Sequence, residues 1–385
     1  MVLKSFGQMA LIVTLSVAFT SCSGKQLTES DVQCYLPLKS TRVVDKLEEY
    51  ISELYLIPMV SDSVCLANVR KMIIGNSSYY VLSGGIVFAV SFDGTQIEKI
   101  GNVGRGPGEY LSIKDFAINV SGTQIWCLDV FNTLLKYDIN GYKYLSRIEN
   151  GKNIGYAEAI IPLKNDSYAL YVPNPSITKL SGLPQDFKCL KFYDSEGKPC
   201  LESMLWSDFN IETSFSVPSS NTGVLISVLS PESPSPSIVY ARGEECSRVF
   251  FDFGDKNVPY RFAFKKGSNP MEMIGEIFEL DYYKLISSVF ILSDAYYFRA
   301  YGKDSSLWNF LLPMDGSEGI RWESKGAMTP PISALGSDGE YLYFTYDDYG
   351  LNANEEDPLK VAIQKKFGMP EVSNGSYIIK VMLHE

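Results

Sequence analysis

The sequence predicts an all-β protein built from six copies of one small antiparallel sheet. Apolar and polar residues alternate in runs of about six, as at 123–129 and 339–346, which is the period of a half-buried strand. Tyr and Phe are abundant, at 25 and 21 residues, and aromatic side chains pack well on a pleated sheet. Polar turns of the form aromatic-Asp-(x)-Gly then recur along the chain.

The turns give the spacing of the repeat. They lie at residues 92–94, 137–141, 193–197, 251–254 and, in a looser form, 314–316. Their Asp residues are 45, 56, 58 and 63 positions apart, whereas compact four-stranded repeats take about 40 to 50 residues. The later copies are therefore expected to carry loop insertions. In chain order the six sheets are predicted near 61–103, 110–150, 155–205, 215–256, 280–325 and 329–384.

A ring of sheets must also join its first and last members, since an open edge strand pairs readily with another chain. Residues 52–59 precede the first sheet and are expected to complete the sixth beside residues 377–383. Two segments are predicted to lie outside the strands. Residues 23–50 begin polar and suit a tether, and residues 269–280 have the apolar spacing of a short amphipathic helix, more typical of packing than of a partner site.

Residues 92–110 carry the most specific pattern, FDGTQIEKIGNVGRGPGEY, followed by IKDF at 113–116 and LKYDINGYKY at 135–144. This block resembles the NHL-like, six-bladed β-propeller lipoproteins of Bacteroides-type bacteria, in which a similar block links one blade to the next. The resemblance covers residues 45–384. It implies a six-bladed β-propeller over residues 51–385, closed by an N-terminal strand, and it implies no reaction.

The first 22 residues read as an export signal. Lys4 precedes an apolar run from Met9 to Phe19, which is too short to span a bilayer core that needs about 20 residues. Small residues then lead to Cys22 as in a lipobox, so residues 1–22 are predicted to be a lipoprotein signal and Cys22 the lipidated residue. An ordinary secretory signal cut near Ala18 is the alternative. We expect a lipid-anchored protein of the outer membrane or cell envelope, outside the cytoplasm.

The net charge and the positions of the cysteines restrict which partners, disulfides and metal sites are expected. The formal net charge is −11 and no basic stripe is present, so nucleic acid is not expected as a partner. Cysteines in apolar strand-like runs, such as Cys127, are expected to be buried and unbridged. Cys189 and Cys200 flank a turn, and a bridge across that hairpin is the less favoured alternative to free thiols. No cysteine pair has zinc-ligand spacing, and the only histidine is His384, so no metal site or cofactor is predicted.

The glycine loop at 104–108 invites a phosphate-binding interpretation, but it lacks GxxxxGK and a complete GxGxxG, and a strand pattern follows it. A tight connection between blades is the favoured interpretation. Arg105, Glu109 and Tyr110 are the polar groups that this loop offers for binding, and they are equally suited to pair with one another.

Catalysis through a Ser-His-Asp or Cys-His arrangement is not expected, because His384 lies at the chain end. Glycoside hydrolysis needs only two carboxylates. The densest acidic cluster, at 347–348 and 352–357, suits either calcium or a solvated loop, and the loop is favoured. The sequence thus favours a non-catalytic binding or scaffold module for a glycan, peptide or partner protein. A polysaccharide-active enzyme with carboxylates at the channel mouth is the alternative.

Overall fold

Six β-sheets surround a common axis in the computed structural model. The structure describes residues 33–37, 41–59, 64, 66, 69–150, 156–172, 188–205, 223–230, 233–242, 245–257, 279–283, 286–303, 306–324, 332–346, 357–368 and 376–384. Strands are numbered along the chain, and each sheet is called a blade.

The first three blades each contain four consecutive antiparallel strands. Blade one contains β4 (Val69–Ile74), β5 (Ser78–Ser83), β6 (Ile86–Ser91) and β7 (Ile97–Ile100). Blade two contains β10 (Ile113–Ile118), β11 (Gln124–Asp129), β12 (Thr133–Asp138) and β13 (Tyr144–Glu149). Blade three contains β14 (Ala159–Pro162), β15 (Tyr168–Tyr171), β16 (Lys188–Tyr193) and β17 (Pro199–Leu205).

The later blades draw on the N-terminal segment as well. Blade four contains β18 (Gly223–Ser230), β19 (Ser233–Arg242) and β20 (Glu245–Asp252), joined by β1 (Gln33–Pro37). Blade five contains β21 (Ile286–Ile291), β22 (Ala295–Tyr301), β23 (Leu307–Pro313) and β24 (Gly319–Ser324), joined by β2 (Thr41–Val43). Blade six contains β25 (Ile332–Ser337), β26 (Leu342–Tyr346) and β27 (Ser376–Leu383), joined by β3 (Ile51–Met59).

The remaining elements of the described residues lie in the connections. They are β8 (Asn102–Val103), β9 (Glu109–Tyr110), the helix α1 (Pro358–Phe367) and 3-10 turns at Leu47–Tyr50, Lys164–Asp166 and Gly254–Lys256.

The first strands of the blades form the inner ring. Each contacts the first strand of the next blade, in the order β4, β10, β14, β18, β21, β25 and back to β4. This closed order confirms the predicted six-bladed β-propeller. The apolar core lies between neighbouring blades, where, for example, Trp126 of blade two meets Tyr168 of blade three edge to face at 6.1 Å.

The N-terminal segment closes the ring over three blades. Strand β3 pairs antiparallel with β27, from Ser376 opposite Met59 to Leu383 opposite Ile51, which confirms the predicted closure. Strands β1 and β2 pair parallel with β20 and β24. The expectation that residues 23–50 lie outside the strands is therefore wrong at 33–37 and 41–43. These residues cover the outer edges of blades four and five, which would otherwise present unpaired backbone groups.

The antiparallel alternation within each blade defines two faces. The first strands begin on what we call the loop face, which carries the connections between blades and between second and third strands. The opposite turn face carries the other connections and includes all five predicted aromatic-Asp-(x)-Gly turns. Their glycines have positive φ angles, as the turns require: Gly94, Gly141, Gly197, Gly254 and Gly316.

Helix α1 lies in the connection between β26 and β27, on the loop face. Asp357 caps it by accepting hydrogen bonds from the backbone N–H groups of Leu359 and Lys360 at 3.0 and 3.3 Å, and Pro358 occupies the first turn. Asp357 is buried, and burial raises the pKa of its carboxyl. The expectation of a solvated acidic loop is thus wrong for Asp357, because its carboxylate is needed to cap a packed helix.

Two other predictions concern segments of which the structure describes only a small part. The rest of the acidic cluster, residues 347–348 and 352–356, lies outside the described residues, as do residues 269–278 of the predicted amphipathic helix.

Cysteine placement agrees with the prediction of a buried residue at Cys127, where burial also raises the pKa of the thiol. The Cys200 thiol is exposed and donates to the Lys198 carbonyl at 3.5 Å. In the register of β16 and β17, Leu190 lies opposite Ser203 and Phe192 opposite Leu201. Cys189 is therefore offset from Cys200 by three to four positions, or roughly 10 to 13 Å along the strands, which is beyond the reach of a disulfide.

Candidate functional site

The glycine loop at 101–110 joins blade one to blade two on the loop face. Its two ends pair as short parallel strands, Asn102 beside Glu109 and Val103 beside Tyr110. The N–H of Gly104 donates to the Tyr110 carbonyl at 2.9 Å. A β-carbon on Gly104 would overlap the Glu109 carboxylate, so a larger residue here would have to displace that side chain.

The three candidate binding residues of this loop occupy different environments. Glu109 accepts a hydrogen bond from the Gly106 N–H at 2.7 Å and so braces the loop from within. Tyr110 is buried between blades one and two, and its hydroxyl donates to the Ile100 carbonyl at 2.7 Å. Arg105 is exposed. Binding by these residues stays a prediction, and Arg105 is the one whose side chain lies open to solvent.

A second set of charged residues lies on the inner strands of blades one to three. Arg70, Lys114 and Glu158 are spaced by 44 residues and occupy equivalent positions where the first strands begin. In β4 and β10 the pairing register shifts at this position, between Val69 and Lys71 and between Ile113 and Asp115. Such bulges re-aim a side chain away from the sheet.

The equivalent residues contact one another from blade to blade. Arg70 donates through Nη2 to the Ile113 carbonyl at 3.3 Å, and Lys114 donates through Nζ to the Ala157 carbonyl at 3.3 Å. Lys114 also forms an ion pair with Glu158 at 2.6 Å. The side chains thus link three neighbouring inner strands at the loop-face end of the axis.

The residues that follow them are buried instead. Lys71 and Asp115 form an ion pair at 2.6 Å, with their side chains only 6% and 9% exposed. The second carboxylate oxygen of Asp115 accepts the Ile160 N–H of blade three at 2.8 Å. Asp115 therefore ties blades one, two and three together beneath the exposed charges.

Three exposed apolar side chains lie in the loops next to these strands. Tyr156 is 74% exposed, Phe131 is 61% exposed and Leu111 is 40% exposed. Backbone contacts hold their loops together, since the Val130 N–H donates to the Ser112 carbonyl at 3.1 Å and the Ala157 N–H donates to the Asn132 side chain at 2.9 Å. The Lys114 ammonium lies 5.6 Å from the centroid of the Tyr156 ring.

We call these six residues the axial site: Arg70, Leu111, Lys114, Phe131, Tyr156 and Glu158. The arrangement offers two cations and one carboxylate at the start of the inner strands, and three exposed apolar side chains on the loops beside them. It is suited to holding a ligand that carries both a charge and an apolar surface.

Sequence reasoning missed the axial site, although one signal for it is visible. A charged residue follows an apolar one at each 44-residue step, in Val69-Arg70, Ile113-Lys114 and Ala157-Glu158. The bulges that separate these residues from the buried pair beside them have no sequence mark of their own.

The structure gives little information about the other predicted sites. Cys22 and the whole of residues 1–32 lie outside the described residues. Within the described part of the chain, no group of three or more metal-ligating side chains comes together. No helix in that part is long and apolar enough to cross a bilayer.

The closed ring of six blades, with the axial site where its inner strands begin, is a six-bladed β-propeller of the kind that the sequence pattern resembles. Residues 30–306 match the family model DUF5128, described as a 6-bladed beta-propeller, and the chain belongs to that family. No curated protein matches it.

Two solved structures share the fold. A Bacteroides fragilis protein named as a "putative exported protein" is 16% identical with a TM-score of 0.68, covering 91% of this chain and 100% of that one. A DUF4221 family member from Bacteroides vulgatus is 10% identical with a TM-score of 0.50, covering 87% of this chain and 97% of that one. At these identities the similarity shows the fold alone.

Proposed function

We propose that this protein is an extracytoplasmic, lipid-anchored propeller that binds a ligand at the axial site without catalysing a reaction. The observation that carries the proposal is the exposure of Leu111, Phe131 and Tyr156 beside two cations on one part of the loop face. Exposed apolar groups collected at one place on a rigid scaffold are typical of recognition surfaces.

The carboxylates of the inner strands support binding over hydrolysis. Glycosidases need two carboxyl groups that both reach the substrate. Among the described residues of blades one to three, the inner strands and the residues directly before them carry the carboxylates of Asp115 and Glu158. Asp115 is buried in its ion pair with Lys71, so Glu158 is the carboxylate left open to a ligand there, and it is held by Lys114.

The location rests on the sequence and on the related fold. The lipobox-like segment ending at Cys22 supports a lipid anchor, and the Bacteroides fragilis protein of the same fold is named for export. We expect Cys22→Ser to release the protein from the membrane fraction or to leave its precursor unprocessed, because acyl burial resists high salt whereas charge attraction does not. Wild-type protein found soluble with an unmodified Cys22 would contradict the anchor.

Binding is tested on glycan and peptide arrays with three forms of the purified chain: wild type, the Phe131→Ala/Tyr156→Ala double variant, and Phe367→Ala. Phe367 is a matched control because it is an exposed phenylalanine, 43% exposed, at the end of helix α1 and away from the axial site. We expect the double variant to lose about tenfold or more in affinity, since each aromatic contact contributes roughly 0.5–1.5 kcal/mol. The control should bind as wild type does.

Two results would contradict the proposal. One is a ligand whose affinity is the same in wild type and in the double variant, which would place binding elsewhere. The other is turnover of a polysaccharide that disappears in Glu158→Gln, which would make the protein an enzyme.

A further inference from the structure

The charges of the axial site do not balance between equivalent positions. Lys114 of blade two meets the carboxylate of Glu158 in blade three at 2.6 Å. Arg70 of blade one occupies the position equivalent to Lys114. The equivalent residue next to Arg70 in the ring is Lys114 of blade two, whereas the equivalent residue next to Lys114 is Glu158 of blade three, a carboxylate. A cation thus follows a cation, and Arg70 makes no ion pair with any carboxylate of the described residues.

Arg70 is an exposed residue, and its guanidinium commits one donor to the Ile113 carbonyl. Its remaining N–H groups form a planar fork that matches a carboxylate in bidentate geometry. The whole chain has a formal net charge of −11, so a cation at the axis without an ion pair among the described residues is a local exception to its charge. Charge complementarity therefore favours a ligand that brings a carboxylate to Arg70.

The apolar part of the axial site consists of open surfaces. Phe131 and Tyr156 project with 61% and 74% of their surface exposed. A peptide side chain gains most where a closed pocket removes it from water. A pyranose ring instead lies flat, with its C–H face against an exposed aromatic ring and its hydroxyl groups still in water. Tyr156 already holds the Lys114 ammonium at one side of its ring.

We infer that the axial site binds an acidic saccharide, with a uronate carboxylate on Arg70 and sugar ring faces on Phe131 and Tyr156. This inference rests on the proposed binding function and names its ligand class. Glu158 contributes by neutralising Lys114, which leaves Arg70 as the cation that selects the carboxylate.

The test is calorimetric titration of the purified chain with three probes: tetragalacturonate, its fully methyl-esterified form and neutral galactotetraose. Each is titrated into wild type, Arg70→Gln, Arg70→Lys and Arg147→Gln. Arg147 is the matched control because it is an exposed arginine on β13, paired with Glu149 at 2.7 Å and outside the axial site. Esterification removes the ligand charge without touching the protein, so this comparison does not depend on the folding of any variant.

We expect tetragalacturonate to bind wild type and Arg147→Gln alike. Esterification of the probe and Arg70→Gln should each weaken binding about tenfold or more, as expected for loss of a charged hydrogen-bonded pair. Arg70→Lys should bind with intermediate affinity, because it keeps the charge and loses the fork. Added salt should weaken the binding of tetragalacturonate more than the binding of galactotetraose.

Three outcomes overturn the inference and separate it from the proposed function. Equal binding of the acidic, esterified and neutral probes would refute selection of a carboxylate while binding at the site stands. Binding of array peptides, lost in the Phe131→Ala/Tyr156→Ala variant, together with no saccharide binding, would refute the saccharide and again leave the binding function intact. Absence of any ligand on the saccharide probes and on both arrays would refute both.

Discussion

The two faces of the propeller are built in different ways. On the turn face one device recurs: an Asp carboxylate accepts the backbone N–H two residues on, seen at Asp93, Asp138, Asp194 and Asp315 over distances of 2.7 to 3.1 Å. On the loop face one equivalent position holds a different residue in each of the first three blades: Arg70 in blade one, Lys114 in blade two and Glu158 in blade three.

The difference separates the residues that specify the fold from those that are free to specialise. A turn must reverse the chain in each blade, so the same local chemistry serves in blades one, two, three and five. The starts of the inner strands surround the axis, where the backbone already forms the ring and a side chain can vary without loss of the blade. Divergence between equivalent positions is thus the structural signature of the axial site.

The largest expected effect comes from breaking the buried pair beneath the axial site. Asp115→Ala leaves the Lys71 ammonium buried without a counter-charge and the Ile160 N–H without its acceptor. Removing one partner of a buried ion pair typically costs about 3–5 kcal/mol. We expect a loss of that size in the free energy of unfolding, measured by chemical denaturation.

Two further variants sharpen this result. Glu158→Ala breaks a pair of the same 2.6 Å length whose side chains are 21% and 37% exposed, and should cost less than about 1 kcal/mol. Lys71→Met/Asp115→Asn removes both charges and keeps an acceptor for Ile160, so it should recover most of the stability. Equal losses in Asp115→Ala and Glu158→Ala would show that burial does not distinguish the two pairs.

The next effect concerns the turn face, where Gly94 and Gly316 share a positive φ, at 75° and 83°. A β-carbon at Gly94 would overlap the Pro58 carbonyl oxygen of the closing strand β3, whereas none of the neighbouring atoms lies within 4 Å of one at Gly316. Gly316→Ala should cost about 1–2 kcal/mol from the backbone conformation. Gly94→Ala should cost roughly 1–3 kcal/mol more from overpacking, and equal losses in thermal or chemical unfolding would contradict it.

The turn face was the more predictable part of the fold from sequence. Its signal is local, because Asp, Gly and an aromatic residue within a few positions specify the turn. The closing strand 52–59 followed from the need to cover an edge. The pairing of β1 and β2 was missed, because parallel pairing with strands more than 200 residues away leaves no local pattern. Helix α1 was missed although Asp357-Pro358 is a cap followed by a first-turn proline.

The candidate site was less predictable for the same physical reason. Arg105, Glu109 and Tyr110 were chosen because they lie in one conspicuous loop, and folding turns Glu109 toward the loop backbone and Tyr110 into the core. Arg70, Lys114 and Glu158 are 44 residues apart and come together only when the blades close into a ring. Local sequence therefore indicates turns well and axial sites poorly.

The smallest effect tests the recurring turn itself through Asp93. Its carboxylate accepts hydrogen bonds from the Ser91 hydroxyl at 2.6 Å and from the backbone N–H and hydroxyl of Thr95 at 3.1 and 2.8 Å. These bonds, that from Ser91 foremost, lower the pKa of Asp93 from 3.8 to about 2. The ionised carboxylate therefore stabilises the fold above about pH 4, and this contribution is lost as the pH falls toward 2.

Asp93→Asn keeps an oxygen acceptor and removes the ionisation, so wild type should exceed it in stability by a small margin at about pH 6. That margin should shrink on acidification as Asp93 takes up its proton. Denaturation midpoints of both proteins across this range measure the margin, with Glu98→Gln, an exposed carboxylate of β7 in the same blade, as the control. A margin that stays constant with pH would show that the hydrogen bonds to Asp93 do not depend on its charge, and the turn would then be specified by its geometry alone.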